Sequence, residues 1–119
     1  MTLRIKPKDE IAIKICGLTQ LSQAKAIASM GVNAIGVIGV PSSPRFVSPF
    51  KREEIFSGLE VINNLERVLV VADFQDADFD LALKGKGSPT IIQLHGNESP
   101  QRCNYLREKY SDIKWWKAL

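Results

Sequence analysis

Short apolar runs recur along the chain, each followed by a polar loop and then by a stretch whose apolar residues fall three or four apart. Residues 11–15 form the first run, broken only by Lys14, and Cys16-Gly17 follow it. Leu21, Ala24, Ile27 and Met30 then recur at every third position, one face of a helix over residues 21–30 that closes on Gly31. Thr19 is its expected N-cap. Residues 34–40 (AIGVIGV) read as a strand buried on both sides. Ser48-Pro49 opens a second helix, with Ser as cap and Pro at the first helical position, where its missing N–H costs nothing. That helix runs through Ile55, Leu59 and Ile62, weakened by an interior Gly58. Residues 68–72 (VLVVA) are a third strand, and a shorter helix over 78–84 ends in a Gly85-Lys86-Gly87 turn. Residues 90–94 (TIIQL) are a fourth strand. Ser99-Pro100 then opens a fourth helix, with Cys103, Leu106 and Tyr110 on its inner side, and residues 113–119 read as a fifth strand.

Strand and helix thus alternate four times, and the strands are continuous apolar runs. A parallel sheet with helices packed on it requires that pattern, so the fold class is α/β. Each unit takes about 22 to 34 residues, the size of a βαβ crossover. No linker, low-complexity tract or charge run divides them. The 119 residues are 45% hydrophobic, enough for one domain and one core. The formal net charge is only +3 and its cations are scattered, so neither nucleic acid nor an anionic membrane is an expected partner. No apolar stretch approaches the roughly 20 residues of a membrane span. The first ten residues carry both signs of charge and no apolar core of a secretory leader, and two cysteines make no disulfide framework. The expected location is the cytoplasm.

In parallel α/β folds chemistry gathers where strands end and helices begin. Those loops contain Cys16-Gly17, Ser43-Pro44-Arg45, Asp73 and His95-Gly96. A thiol at a strand end near a helix N-terminus can serve as a base or nucleophile, and Cys16 reads either that way or as a small apolar lining residue. Arg45 suits a carboxylate, a phosphate or an aromatic plane, or is a solvated loop arginine. His95, the single histidine, reads first as a hydrogen-bonded structural residue. Asp73 reads equally as a helix cap or a turn former. Cys103, on the apolar stripe of a helix, reads as core. One histidine and two distant cysteines imply no metal site. The glycine-rich stretch at residues 84–87 follows a helix, on the face opposite to a phosphate cradle.

Three segments carry a resemblance. Residues 13–19 (IKICGLT), 43–49 (SPRFVSP) and 93–100 (QLHGNESP) resemble, in this order and after the expected strands, three successive motifs of the phosphoribosylanthranilate isomerase family. The similarity covers residues 11–119. It implies the N-terminal half of a TIM-type (β/α)8 barrel, about four units plus a fifth strand, preceded by an extension over residues 1–10. It also implies an Amadori rearrangement of N-(5'-phosphoribosyl)anthranilate to 1-(2-carboxyphenylamino)-1-deoxyribulose 5-phosphate in tryptophan biosynthesis, with no cofactor and no metal. By resemblance Cys16 is the general base that removes the sugar C2' proton. Arg45 contacts the substrate near the anthranilate, and His95 faces the pocket.

The departures from that family have consequences. Its general acid is an aspartate at the end of strand six, and its phosphate grip follows strands seven and eight. Asp73 stands where asparagine is common, and Gly39 where an aromatic is common. The expectation is a chain carrying the base and the substrate-side arginine but turning over poorly or not at all by itself. A fragment or degraded gene is the favoured account, ahead of one part of a split enzyme that pairs with a C-terminal half-barrel chain and of a half barrel that pairs with itself. The alternative function is a non-catalytic α/β module, a flavodoxin-like open sheet that closes against a partner or its own copy.

Overall fold

The computed structural model describes residues 12–118; the expected extension over residues 1–10 and the expected start of the first strand lie outside the described residues. The elements are β1 (Lys14–Cys16), α1 (Leu21–Ala28), β2 (Ala34–Ile38), α2 (Pro49–Leu59), β3 (Glu66–Val71), α3 (Asp76–Ala82), β4 (Ile91–Leu94), α4 (Pro100–Lys109) and β5 (Lys114–Lys117). All four strand pairings are parallel and the spatial order is β1-β2-β3-β4-β5. A doubly wound sheet of the flavodoxin type reverses its order at a switch point. This sheet never does, so right-handed crossovers place every helix on the same face, as in a barrel wall. The flavodoxin-like alternative is therefore not the observed topology.

Alternation along the strands separates two apolar clusters. Ile35, Val37, Leu69, Val71, Ile92 and Leu94 point outward to Ala24, Ile55, Phe56, Leu59, Phe79 and Leu106 of the helices. Ala34, Ile38, Val68, Val70 and Ile91 form a smaller cluster on the opposite, concave face, joined by Cys16 and Val40. Near β5 the outer layer is aromatic: Phe79 lies 5.2 Å from Phe74 and 5.3 Å from Trp115, centroid to centroid.

Helix boundaries follow local chemistry. Ser48 and Ser99 cap α2 and α4, their hydroxyls accepting from the N–H groups of Lys51 and Arg102. Thr19 is not the cap of α1. Gln20 holds that position without a side-chain bond, and the Thr19 N–H instead donates to Gln23 Oε1 at 3.3 Å. The third helix begins two residues earlier than its pattern predicts, because Gln75 and Asp78 form a reciprocal capping box. Gly58 lets α2 approach α1, since a Cβ there would lie 2.5 Å from Leu21 Cδ1. Gly39, where an aromatic was the family expectation, is covered by Arg52 of α2, whose Nη1 lies 3.4 Å from the position of a Cβ.

Candidate functional site

Cys16, Arg45 and His95 come from the ends of β1, β2 and β4, and together they line one cavity of about 310 Å³ with Ile38, Val40, Ser43, Val70 and Gln93. Cys16 is half-buried on the concave side of β1. The chain leaves β1 through Gly17, at φ +88°, where a side chain would both be strained and run into the Arg45 guanidinium. Arg45 in turn donates from Nη1 to the Cys16 carbonyl at 3.4 Å, and its backbone N–H donates to Ser43 Oγ at 3.1 Å. The loop bearing it folds back along β2, with the Val47 N–H donating to the Ile38 carbonyl at 2.8 Å. Thus the arginine is held beside the cysteine while its side chain stays exposed at the rim. His95 is also exposed, anchored by its N–H to the Val71 carbonyl.

Asp73 is a turn residue here. It adopts φ +53°, its Oδ1 accepts from the Asn97 N–H and its own N–H donates to Glu98 Oε2. Glu98, with a side chain only 3% exposed, also accepts from the Gly96 N–H and from Lys117 Nζ at 2.8 Å. Burial alone would raise its pKa, but the bonds from Lys117 and the Asp73 N–H outweigh that and hold it below the usual carboxylate range. This network fixes the loop that carries His95 to the end of β3 and to β5.

Cys103 packs against the outer core, away from the cavity. The Gly85–Gly87 turn abuts α2, with the Gly87 N–H on Glu60 Oε2. A larger cavity, about 700 Å³, opens at the other end of the concave face between Ile13, Asn33, Leu65 and Trp116. It sits at the N-terminal ends of the strands, the end that in barrels serves stability rather than chemistry. Among the described residues no cluster of three or more His, Cys, Asp or Glu could hold a metal, and no helix is long and apolar enough to cross a membrane. Sequence reasoning assigned no role to Gln93, Lys14, Glu98 or Lys117. For the first two a signal existed: Gln93 precedes His95, and Lys14 precedes Cys16, by the two residues that return a strand to the same face.

Sequential parallel strands, helices on one face, and polar and thiol groups gathered at the carboxyl ends of the strands define part of a (β/α)-barrel protein with its site in the usual place for that class. The sequence pattern of N-(5'phosphoribosyl)anthranilate (PRA) isomerase matches residues 13–118. The N-(5'-phosphoribosyl)anthranilate isomerase of Thermosynechococcus vestitus is 45% identical over 112 residues, covering 92% of this chain and 46% of that protein. The phosphoribosylanthranilate isomerase of Thermotoga maritima superposes with a TM-score of 0.78 at 30% identity, over 91% of this chain and 50% of the other. A phosphoribosylanthranilate isomerase in complex with reduced 1-(o-carboxyphenylamino)-1-deoxyribulose 5-phosphate gives the same TM-score and identity, over 91% of this chain and 53% of that one. This chain belongs to the PRA isomerase family. It spans about half the length of the curated relatives it matches.

Proposed function

We propose that this chain is the N-terminal half-barrel of a phosphoribosylanthranilate isomerase, with residues 11–119 forming that half and residues 1–10 an extension. The observation that carries the reading is the convergence of Cys16, Arg45 and His95, from three separate strand ends, on one cavity. The Amadori rearrangement opens the ribose ring to an iminium by protonating the ring oxygen, and a base then takes the proton from C2'. Cys16 takes that proton, acting as a base and not as a nucleophile so long as no electrophilic carbon lies in line with its sulfur. Arg45 binds the anthranilate carboxylate and fixes the ring, converting binding into orientation of C2' over the sulfur. His95 bounds the opposite side of the cavity and contacts the substrate. The acid that protonates the ring oxygen and the phosphate grip come from polypeptide outside this span. Location in the cytoplasm belongs to the same reading.

The partner of the concave face is the complementary C-terminal half of the barrel. Among the described residues β1 and β5 each pair with one strand only, and Trp116 stands 41% exposed on the inner face beside that edge. The test is loss of anthranilate-type fluorescence from phosphoribosylanthranilate, above its spontaneous decay, in excess chain. The chain alone is expected to be slow or inactive. Addition of the separately made C-terminal half of the Thermosynechococcus vestitus relative is expected to give turnover that Cys16→Ser abolishes. Turnover that survives Cys16→Ser would overturn the reading.

A further inference from the structure

We propose that Gln93 is a further substrate-binding residue of this site, donating through its side-chain amide to an oxygen of the sugar portion of the substrate, and that Lys14 is the positioning residue that orients it. The proposal rests on the isomerase reading above.

Lys14 stands on β1 and Gln93 on β4, with β2 and β3 between them, yet Lys14 Nζ donates to Gln93 Oε1 at 2.9 Å. Neighbouring strands lie about 4.8 Å apart and their side chains stand perpendicular to the sheet, so the bond closes across the concavity of a curled sheet. An ammonium has three donors and no acceptor. The Gln93 atom that faces it is therefore the carbonyl oxygen, and the amide NH2 is turned the other way. Among the described residues the hydrogen bond recorded at the Gln93 side chain is the one from Lys14, and Gln93 lines the cavity with Cys16, Arg45 and His95.

Two further features argue that this arrangement serves the ligand. Lys14 stands on the inner face among Ala34, Glu66, Ile91 and Lys114, yet its ammonium donates to Gln93, while the Glu66 carboxylate accepts from Lys114. Space for the Lys14 crossing comes from Gly36, where a Cβ would lie 3.1 Å from Lys14 Cε and 2.9 Å from Cys16 Sγ. The glycine thus keeps clear both the floor under the thiol and the path of the lysine. What results is a neutral donor, fixed in direction, between the base and the histidine. Such a group suits a hydroxyl or carbonyl oxygen, and leaves the carboxylate to Arg45.

The test uses the full chain labelled with 15N, joined by the unlabelled C-terminal half of the Thermosynechococcus vestitus relative, with the Gln93 side-chain amide signals assigned by their disappearance in Gln93→Met. Reduced 1-(o-carboxyphenylamino)-1-deoxyribulose 5-phosphate is the probe. The Gln93 NH2 pair is expected to shift on titration together with the backbone signals of Cys16 and His95. Lys14→Met is expected to abolish the Gln93 shift and weaken binding about tenfold, and Lys14→Arg to restore both. Gln93→Met, which keeps the volume and removes the donor, is expected to weaken binding to the same extent should Lys14→Met not fold. Shifts at Cys16 and His95 without one at Gln93, or a Gln93 shift indifferent to Lys14→Met, would overturn this proposal and leave the isomerase reading standing. No response at any of the three residues would overturn both.

Discussion

On the outer face of the sheet Ile35, Val37, Leu69, Val71, Ile92 and Leu94 are at most 1% exposed beneath the helices. On the inner face apolar Ala34, Ile38, Val68, Val70 and Ile91 alternate with Gly36 and stand beside the polar Lys14, Cys16 and Gln93. One parity of each strand packs beneath the helices and the other lines the candidate site. The division lets the site bear a thiol and an ammonium without disturbing the layer that provides most of the apolar burial.

The largest effect that follows belongs to the outer face. Phe79 is fully buried among Phe74, Tyr110 and Trp115, and Phe79→Ala is expected to cost about 3–5 kcal/mol in urea unfolding. Ile38→Ala on the inner face should fall at the low end of the range for such truncations, about 2 kcal/mol, because its other side is open to the cavity. Equal losses at the two positions would erase the contrast.

Glu98 gives the next effect, at the rim where the two faces meet. Its carboxyl is held below the ordinary value of about 4.3, so its contribution is present above that pH and is lost as the pH falls through the folded value. Stability measured from pH 6 to pH 2 should therefore decline more gently in Glu98→Gln than in the parent. An identical acid limb in the two proteins would show that the Lys117 and Asp73 bonds add nothing.

Smaller still are the caps. Ser99→Ala should cost about 1 kcal/mol, whereas Thr19→Ala should stay within about 0.5 kcal/mol because the threonine hydroxyl caps nothing. A cost at Thr19 matching that at Ser99 would restore it as the cap of α1.

What was legible in the sequence was local. The apolar runs over residues 34–38 and 68–71 and the Ser-Pro openings at 48–49 and 99–100 announce their elements, because burial on two faces and cap chemistry act within a few residues. The start of α3 was hidden because Gln75 is not a usual cap and works only with Asp78 in reciprocal contact. The three site residues were legible as strand-end residues and through the three motifs that carry them. Their shared cavity was not, since it depends on how the sheet curls. The Lys14–Gln93 bond joins residues 79 apart in the chain, and Lys14 in isolation is merely the interruption of an apolar run. Glu98 reads as an ordinary surface acid until the ends of β3 and β5 close over it.

The two cysteines report on the two faces, Cys16 on the inner and Cys103 on the outer, and each is half-buried. The most direct measurement is therefore alkylation of each thiol with iodoacetamide, resolved by peptide mass, with and without reduced 1-(o-carboxyphenylamino)-1-deoxyribulose 5-phosphate. The account predicts that the ligand slows modification of Cys16 severalfold, leaves Cys103 unchanged, and loses this protection in Arg45→Ala. Equal modification of Cys16 with and without ligand would contradict the assignment of the inner cavity as the substrate site.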